Sequence, residues 1–232
     1  MAELAIYSTI GVRSAAEELF RKFEKEHACR LTVTWGTAPM LVSRIESGES
    51  ADVLVLSRAG IDILAKQGKV APGSDVTLAG SGVAIAVKAG AAKPDISTPR
   101  ALKETLLTAK SIAYSEPSAG GASGVYFAKL LERMGIAEQM KPKTKYPPAG
   151  GFCAELLLSG EAELAVQQKP ELMHVAGAEI VGFLPGALNM VTEFAAAVMA
   201  GTKNSQTGKT LIATLRSPEA AAVFRSKGLD PR

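Results

Sequence analysis

The sequence predicts an α/β fold with two lobes, and three observations predict it. Apolar runs and amphipathic helical segments alternate along residues 1–70, which predicts a mainly parallel sheet covered by helices. Residues 80–185 repeat this βα rhythm, and an apolar run at 191–199 leads into two final helices. We therefore predict one lobe from residues 1–80 and 191–232, a second lobe from residues 81–190, and two crossovers between them.

Within the first lobe, each element follows from its hydrophobic pattern. Residues 4–7 are a short apolar strand, residues 31–35 alternate, and the continuous apolar run 53–56 is typical of a strand buried on both faces. Apolar residues at helical spacing predict helices at 14–27, 40–45 and 61–67, the last two ending near Gly48 and Gly68.

The remaining elements are predicted in the same way. Strands are expected at 80–87, 111–114, 162–166, 180–183 and 191–199. Helices are expected at 101–109, 121–134, 152–158, 207–215 and 218–227, with a short segment at 170–173. The pair Ser217-Pro218 is a typical helix start, because serine caps the helix and proline fits its first turn.

Composition excludes several classes of function. The net charge is only +3 and aromatic residues make up 5% of the chain, so we expect no nucleic-acid partner. No apolar run approaches the roughly 20 residues of a membrane span, so we expect a protein that is not membrane-embedded. Residues 1–7 do not resemble a signal peptide. We therefore expect a periplasmic location if a signal peptide was removed, and a cytoplasmic one otherwise.

The two cysteines, Cys29 and Cys153, are far apart in the sequence. A disulfide is one reading, and two buried thiols are the reading that we favour. The chain has no CxxC or HxxxH spacing, so we expect no metal site, and no motif indicates a cofactor.

Three stretches carry small residues and hydroxyls between an apolar run and an amphipathic segment. They are Tyr7-Ser-Thr-Ile-Gly11, Trp35-Gly-Thr-Ala38 and Gly120-Gly-Ala-Ser-Gly-Val125. Such stretches present backbone N–H groups at helix starts, where the helix dipole also favours negative charge. The pattern predicts that several helix N-termini bind one small anion, although plain N-caps and a plain glycine turn are the alternative reading.

Several segments resemble one known family. Ala51-Asp-Val-Leu-Val-Leu-Ser57, Lys93-Pro-Asp-Ile-Ser-Thr98, Gly120-Gly-Ala-Ser-Gly124 and the ending 222–229 resemble molybdate-binding-protein-like solute receptors. The resemblance covers essentially the whole chain. It implies a type II periplasmic-binding-protein fold, with a ligand cleft between two lobes. It also implies a monomer that works with an ABC permease.

The same resemblance argues against molybdate. In the family, serine hydroxyls and a tyrosine hold the oxyanion. Here Gly11 and Ala38 stand at the serine positions, and Gln167 stands at the tyrosine position. A subgroup also resembles aconitate isomerase, an enzyme on this fold that binds a tricarboxylate. We therefore expect a di- or tricarboxylate ligand, with guanidinium charge from Arg58. The complete set of expected ligand-binding residues is Ser8, Thr9, Gly11, Val12, Thr37, Ala38, Ser57, Arg58, Gly120, Gly121, Ala122, Ser123, Gly151 and Gln167.

Two functions stay open at this point. The first is a solute-binding protein that closes over a small anion, and the second is a cofactor-free isomerase of aconitate type. An isomerase needs a base, for which Glu116 and Glu155 are candidates, although both also fit a solvated surface. A cytoplasmic sensor is a third possibility. His27 and His174 do not look catalytic, and the Gly208-Lys-Thr210 segment lacks the spacing of a phosphate-binding loop.

Overall fold

The structure is a computed structural model that describes residues 2–148 and 150–232, so Met1 and Ala149 lie outside the described residues. The chain divides into two compact units. Unit 1 comprises Met1–Gly80 and Thr192–Arg232, and unit 2 comprises Ser81–Val191.

The described strands and helices are as follows. The strands are β1 (Ala2–Thr9), β2 (Cys29–Gly36), β3 (Val53–Ser57), β4 (Val76–Lys88), β5 (Ile112–Tyr114), β6 (Thr144–Lys145), β7 (Leu164–Gln168), β8 (Ala178–Phe183), β9 (Val191–Val198) and β10 (Asp230–Pro231). The helices are α1 (Arg13–His27), α2 (Ala38–Glu46), α3 (Arg58–Lys66), α4 (Pro99–Thr108), α5 (Ala122–Arg133), α6 (Ala137–Met140), α7 (Glu155–Leu158), α8 (Lys169–His174), α9 (Ser205–Leu215) and α10 (Pro218–Ser226). Short 3-10 turns lie at Ile10–Val12, Pro117–Ala119, Lys141–Lys143 and Gly186–Leu188.

In unit 1 the strand order is β2-β1-β3-β9. Strand β1 is parallel to both β2 and β3, while β9 is antiparallel to β3. The first part of β4 pairs with β10 at the C-terminus. Because β1, β2 and β3 are parallel, the loops that follow them all leave the same edge of the sheet.

The core of unit 1 lies on both faces of this sheet. Along β3, Val53 and Val55 pack on one face with residues of α1, α9 and α10. Leu54 and Leu56 pack on the other face with residues of α2 and α3. This alternation is the two-residue period of a strand, and burial on both faces explains why β3 is a continuous apolar run.

Asp52, just before β3, ties distant parts of unit 1 together. Its Oδ2 accepts the Ala5 N–H at 2.8 Å. Its Oδ1 accepts hydrogen bonds from the Thr202 hydroxyl and from the Asn204 side chain, in the segment after β9. The acidic residue of the Ala51-Asp-Val motif therefore has a structural role.

In unit 2 the strand order is β4-β7-β5-β6, and β8 pairs with β4. Strand β5 is parallel to β6 and β7, and β4 is antiparallel to β7. Val83 and Ile85 face the larger apolar cluster, which includes Phe127, whereas Ala84 and Ala86 face a smaller one around Cys153. Both cysteines are buried and unbonded to each other.

The predicted α/β class is confirmed, and three elements differ from prediction. The helix expected at 152–158 is a single turn, α7, because residues 152–154 form a loop whose Cys153 N–H bonds a side chain. The sequence pattern also gave no sign of α6 or the two-residue strand β6, which pairs with β5.

Candidate functional site

In unit 1, the predicted site residues come together at the edge where β1, β2 and β3 end. Thr9 pairs with Gly36 across β1 and β2, and Ser8 pairs with Val55 across β1 and β3. The remaining predicted residues of unit 1 follow these strand ends within a few positions. They are Gly11, Val12, Thr37, Ala38, Ser57 and Arg58.

Two of the three helix starts at this edge lack a side-chain cap. Thr9 precedes the turn Ile10–Val12 and Thr37 precedes α2, and neither side chain bonds the backbone N–H groups of its helix start. By contrast, the Ser57 hydroxyl accepts the Gly60 N–H and so caps α3 at 3.3 Å. The starts of the Ile10–Val12 turn and of α2 therefore match the anion prediction better than the start of α3.

Two buried hydroxyls lie at the end of β1. Ser8 is fully buried, and its Oγ has only a long contact of 3.5 Å to the Thr9 carbonyl. Thr9 is 7% exposed, and its hydroxyl makes no hydrogen bond to a described residue. No buried side-chain oxygen or nitrogen among the described residues lacks a partner, so the unbonded Thr9 hydroxyl oxygen is accessible and can meet an incoming ligand.

Gly11 has an internal reason to be glycine. A Cβ at this position would lie 2.7 Å from Cζ and 2.9 Å from Cε1 of Phe194. The Phe194 ring belongs to the unit 1 core, where it is 3% exposed. Packing on Phe194 therefore accounts for Gly11, and a ligand is not needed to explain it.

Arg58 is already paired inside unit 1. Its Nε lies 3.0 Å from Asp62 Oδ1, and its Nη2 lies 2.7 Å from Asp75 Oδ2. Its charge is therefore compensated, and a ligand carboxylate would have to compete with two aspartates. Arg58 stays a prediction as a ligand contact. Arg13 is paired as well, with Glu17, and its guanidinium lies over the Trp35 ring.

Ser115, which no sequence pattern indicated, contacts the predicted site residues of unit 2. It follows β5, and the parallel pairing of Tyr114 with Val166 places it beside Gln167 at the end of β7. Its Oγ accepts the Gln167 Nε2–H at 3.3 Å and lies 3.9 Å from Cys153 Sγ.

Gln167 is fully buried, and both ends of its amide are engaged. Its Oε1 accepts the Cys153 N–H at 2.8 Å, and its Nε2 also donates to the Gly151 carbonyl at 3.3 Å. These bonds hold the 151–153 loop against β7 and the Ser115 segment. The structure therefore brings Gly151 and Gln167 together, with Gln167 as the residue that orders the loop.

The glycines at 120–124 have different causes. Gly120 has φ +74°, a conformation that favours glycine. A Cβ on Gly124 would lie 2.1 Å from the Ser115 carbonyl oxygen, so that position is closed by the protein itself. A Cβ on Gly121 would meet only the Ser115 side chain, its Cβ at 3.5 Å and its Oγ at 3.9 Å, which are ordinary contacts. Of these three positions, Gly121 is the one at which neither backbone conformation nor packing explains why the residue is glycine.

The start of α5 has no side-chain cap, as is also true of the short helices α6 and α7. Its N-cap, Gly121, has no side chain, and Ala122 and Ser123 open the helix. Ser123 is 3% exposed, yet none of the hydrogen bonds among described residues involves its hydroxyl. This arrangement matches that of Thr9 in unit 1.

Glu171 is a buried carboxyl that sequence reasoning missed. It lies in the first turn of α8, where its Oε2 accepts the Gln168 N–H at 3.2 Å and completes a capping box. Burial raises the pKa of Glu171 to about 7. Burial, and secondarily Glu171, raises the pKa of the Cys153 thiol above its ordinary range. A glutamate three residues after a helix N-cap is the signal that could have identified it.

The other candidates from the sequence lie elsewhere. Glu116 and Glu155 are both exposed. His27 stacks on Phe23, and His174 stacks on Phe152. Within the described part of the chain, no group of three or more acidic, histidine or cysteine side chains is arranged to hold a metal ion. No described helix has the length and apolar character needed to cross a membrane.

Comparison with known proteins places this geometry in a family. The pattern of the bacterial extracellular solute-binding proteins matches residues 4–230. The chain belongs to this family. A curated relative, the aconitate isomerase of a Pseudomonas species, is 33% identical over 234 aligned positions, covering 98% of this chain and 87% of the relative.

Solved structures of similar proteins confirm the fold of this solute-binding protein family. The periplasmic molybdate-binding protein of Azotobacter vinelandii has a TM-score of 0.78 and 19% identity, over 97% of this chain and 98% of that one. The sulfate-binding protein SubI of Mycobacterium tuberculosis H37Rv has a TM-score of 0.76 and 15% identity, over 100% of this chain and 87% of that one. The type II periplasmic-binding-protein architecture expected from the sequence is thus confirmed.

Proposed function

We propose that this solute-binding protein binds a small di- or tricarboxylate through backbone N–H groups at its uncapped helix starts. In unit 1 the candidate groups are the N–H groups of 10–12 and of Ala38, and unit 2, considered by itself, offers those of 122–124. The hydroxyls of Thr9 and Ser123 add two donors. The single observation that carries this proposal is that the Thr9 and Ser123 hydroxyls stand at helix starts without a side-chain cap, keep an accessible oxygen on a largely buried residue, and make no hydrogen bond to a described residue.

Two features favour a carboxylate over a tetrahedral oxyanion. Ala38 has no hydroxyl to offer, and Gln167 uses both ends of its amide on the protein. The relative named for aconitate shares 33% identity with the chain, whereas the molybdate-binding structure shares 19%. A planar carboxylate can accept several N–H groups in one plane, so it can use a largely backbone site.

A thermal-shift series tests the proposal. The ligands are citrate, cis-aconitate, trans-aconitate, molybdate, tungstate and sulfate, at matched ionic strength. A ligand present at 100 times its Kd should stabilise the protein by about 2.7 kcal/mol. We expect stabilisation by a carboxylate and none by molybdate or tungstate. Stabilisation by molybdate alone would show that the carboxylate assignment is wrong.

The Gly121→Ala variant tests where the ligand binds. The new methyl group meets only an ordinary contact inside the protein, so the variant should fold. If a ligand approaches the start of α5, the methyl group should weaken its binding. The matched control is Gly182→Ala on β8, whose Cβ would also meet one side chain, that of Ile96, at 3.4 Å. Equal affinity of both variants for the ligand would show that the ligand does not contact the start of α5.

Trp35 offers a second measurement for unit 1. It is the only tryptophan of the chain, and it stands two residues before Thr37, the N-cap of α2. A ligand bound at the start of α2 should change its fluorescence on titration. A carboxylate that stabilises the protein without changing Trp35 emission would argue against a contact at Thr37 and Ala38.

The second candidate is an isomerase of aconitate type, which the curated relative favours. A base removes a proton from the ligand methylene, the double bond shifts, and a proton returns at the former alkene carbon. No co-substrate is consumed. A base must reach the ligand and works best with a pKa near the working pH. Glu171, whose pKa burial raises to about 7, is added as a third candidate base to Glu116 and Glu155.

Incubation with cis-aconitate in deuterated water decides this alternative. Formation of the trans isomer together with deuterium uptake would establish the isomerase. Binding without either change would leave a receptor. The Glu171→Gln, Glu116→Gln and Glu155→Gln variants then identify the base, since only its loss should abolish exchange while binding persists.

The two candidates imply different settings in the cell. A receptor works outside the cytoplasmic membrane and delivers its ligand to an ABC permease, whereas an isomerase needs no permease. Fractionation of cells that express the natural gene separates the two settings. Recovery in the periplasm, with loss of carboxylate uptake on gene deletion, would support the receptor.

A further inference from the structure

Three basic residues begin a helix just after a parallel strand, and they differ in their partners. Arg13 begins α1, Arg58 begins α3 and Lys169 begins α8. Arg13 pairs with Glu17, and Arg58 pairs with Asp62 and Asp75. Lys169 forms no ion pair with any described acidic residue. Of these three charges, the one on Lys169 is therefore not compensated by a carboxylate.

The position of Lys169 matches the proposed site of unit 2. It follows Gln167 and Gln168 directly at the carboxyl end of β7. The segments that follow β5 and β6 before the next helix, residues 115–121 and 146–154, contain no basic residue in the sequence. Apart from Lys145, the last residue of the two-residue strand β6, the basic residue at the carboxyl ends of these strands is Lys169.

The surroundings of Lys169 leave its ammonium available. Its Nζ lies 5.3 Å from the centroid of the Phe183 ring, which is 44% exposed. On one side of β4, Val83 pairs with Gln168, the residue before Lys169, and on the other side Ala84 pairs with Phe183. This pairing explains how the side chains of Lys169 and Phe183 meet. A ring face orients an ammonium but takes none of its charge, so the N–H groups directed away from the ring can still bind a carboxylate.

Two backbone N–H groups beside Lys169, those of Gln168 and Glu171, are already bound by side chains. The side chain of Gln168 and that of Glu171 form a reciprocal capping box that closes the start of α8. The charged group that this turn can offer to a ligand is the Lys169 side chain, which is partly buried.

We propose that Lys169 is the residue that supplies positive charge to a carboxylate group of the ligand. This inference rests on the proposed function and names the charged contact of that site. A lysine is a compact charge with rotatable donors, so it can bind one carboxylate oxygen without the planar match that an arginine requires. Phe183 acts as a positioning residue for it.

Isothermal titration of citrate and trans-aconitate into Lys169→Met tests the proposal. The matched control is Lys88→Met, because Lys88 ends β4 in the same unit, is exposed and pairs across to the start of β8. We expect Lys169→Met to bind roughly tenfold more weakly or worse, and Lys88→Met to stay within about twofold of the wild type. Higher salt should weaken wild-type binding more than residual binding by Lys169→Met.

The outcomes separate this inference from the proposed function. If the wild type binds a carboxylate and Lys169→Met binds it equally well, Lys169 is not the charged contact and the proposed function stands. If the wild type binds no carboxylate, both fail. If Lys169→Met does not fold, Lys169→Gln, which keeps the length and a polar end, replaces it under the same criteria.

Discussion

The side-chain oxygen of Gln167 accepts a hydrogen bond from the backbone N–H of Cys153 at 2.8 Å. This bond joins the end of β7 to the loop that replaces the first half of an expected helix. Its removal should therefore destabilise the fold of unit 2, because a buried N–H would lose its partner.

We expect Gln167→Leu to lower the free energy of unfolding by about 2 kcal/mol, measured by urea denaturation. Gln167→Glu is the informative comparison. It keeps an acceptor for the Cys153 N–H but places a second oxygen near the Gly151 carbonyl, which accepted a hydrogen bond from Gln167 Nε2. It should therefore fall between the wild type and Gln167→Leu. An unchanged denaturation midpoint in Gln167→Leu would contradict this role.

Gly11→Ala should destabilise unit 1. The added methyl group would overlap the Phe194 ring, whose nearest atom is 2.7 Å away, and overpacking of this kind costs about 1–3 kcal/mol. Gly60→Ala in α3 is the control, since its Cβ has room at 3.4 Å or more and alanine favours helix. The double variant Gly11→Ala with Phe194→Leu should recover part of the loss. Equal thermal midpoints for Gly11→Ala and Gly60→Ala would refute the packing explanation.

Gly124→Ala and Gly121→Ala should differ sharply although only two residues separate the positions. The Cβ of the first would lie 2.1 Å from the Ser115 carbonyl oxygen, which cannot move without disturbing β5. We expect Gly124→Ala to lose at least about 3 kcal/mol of stability, and Gly121→Ala to change it by less than about 1 kcal/mol. Thermal unfolding without ligand measures both, and similar losses would show that the 120–124 segment adapts.

Glu171 should make the stability of the protein depend on pH. The unfolded chain ionises this group near 4.5, whereas the folded chain ionises it at about 7. Between these values the folded state holds a proton that the unfolded state has lost, so stability falls as pH rises from about 4.5 to about 7 and stays lower above it.

The Glu171→Gln variant isolates this contribution. Glutamine can still accept the Gln168 N–H, and it carries no charge, so it should be up to about 3 kcal/mol more stable than the wild type above pH 7. The two proteins should converge at acidic pH. Glu155→Gln, at an exposed position on α7, should show the same pH dependence of stability as the wild type. A Glu171→Gln curve with the wild-type slope would mean that another group is responsible.

The sequence predicted those elements whose apolar period was unambiguous. The continuous run of β3 and the helical spacing of α5 both correspond to described elements, because burial against the core dictates both patterns. Small residues and hydroxyls after β1, β2 and β5 likewise indicated helix starts, since each stands where a strand ends.

What the sequence did not predict depends on contacts between distant residues. Arg58 pairs with Asp75, 17 positions away, and Gln167 engages Ser115, 52 positions away, so neither partner was visible in a local pattern. For the same reason, the sequence alone could not show whether a given glycine makes room for a ligand or for the protein itself. Gly11 and Gly124 are small because Phe194 and Ser115 occupy the space, and nothing near them in the sequence gives that information.

The hydrogen bonds of Asp52 have a consequence for protein synthesis. They join Ala5 to Thr202 and Asn204, which are made much later. Unit 2 is continuous in the chain, whereas unit 1 is complete only when residues 192–232 have been made. On the ribosome, unit 2 can therefore fold while unit 1 still lacks β9 and the helices that follow it. The half-built sheet of unit 1 is the stage at which a chaperone would be most useful to this protein.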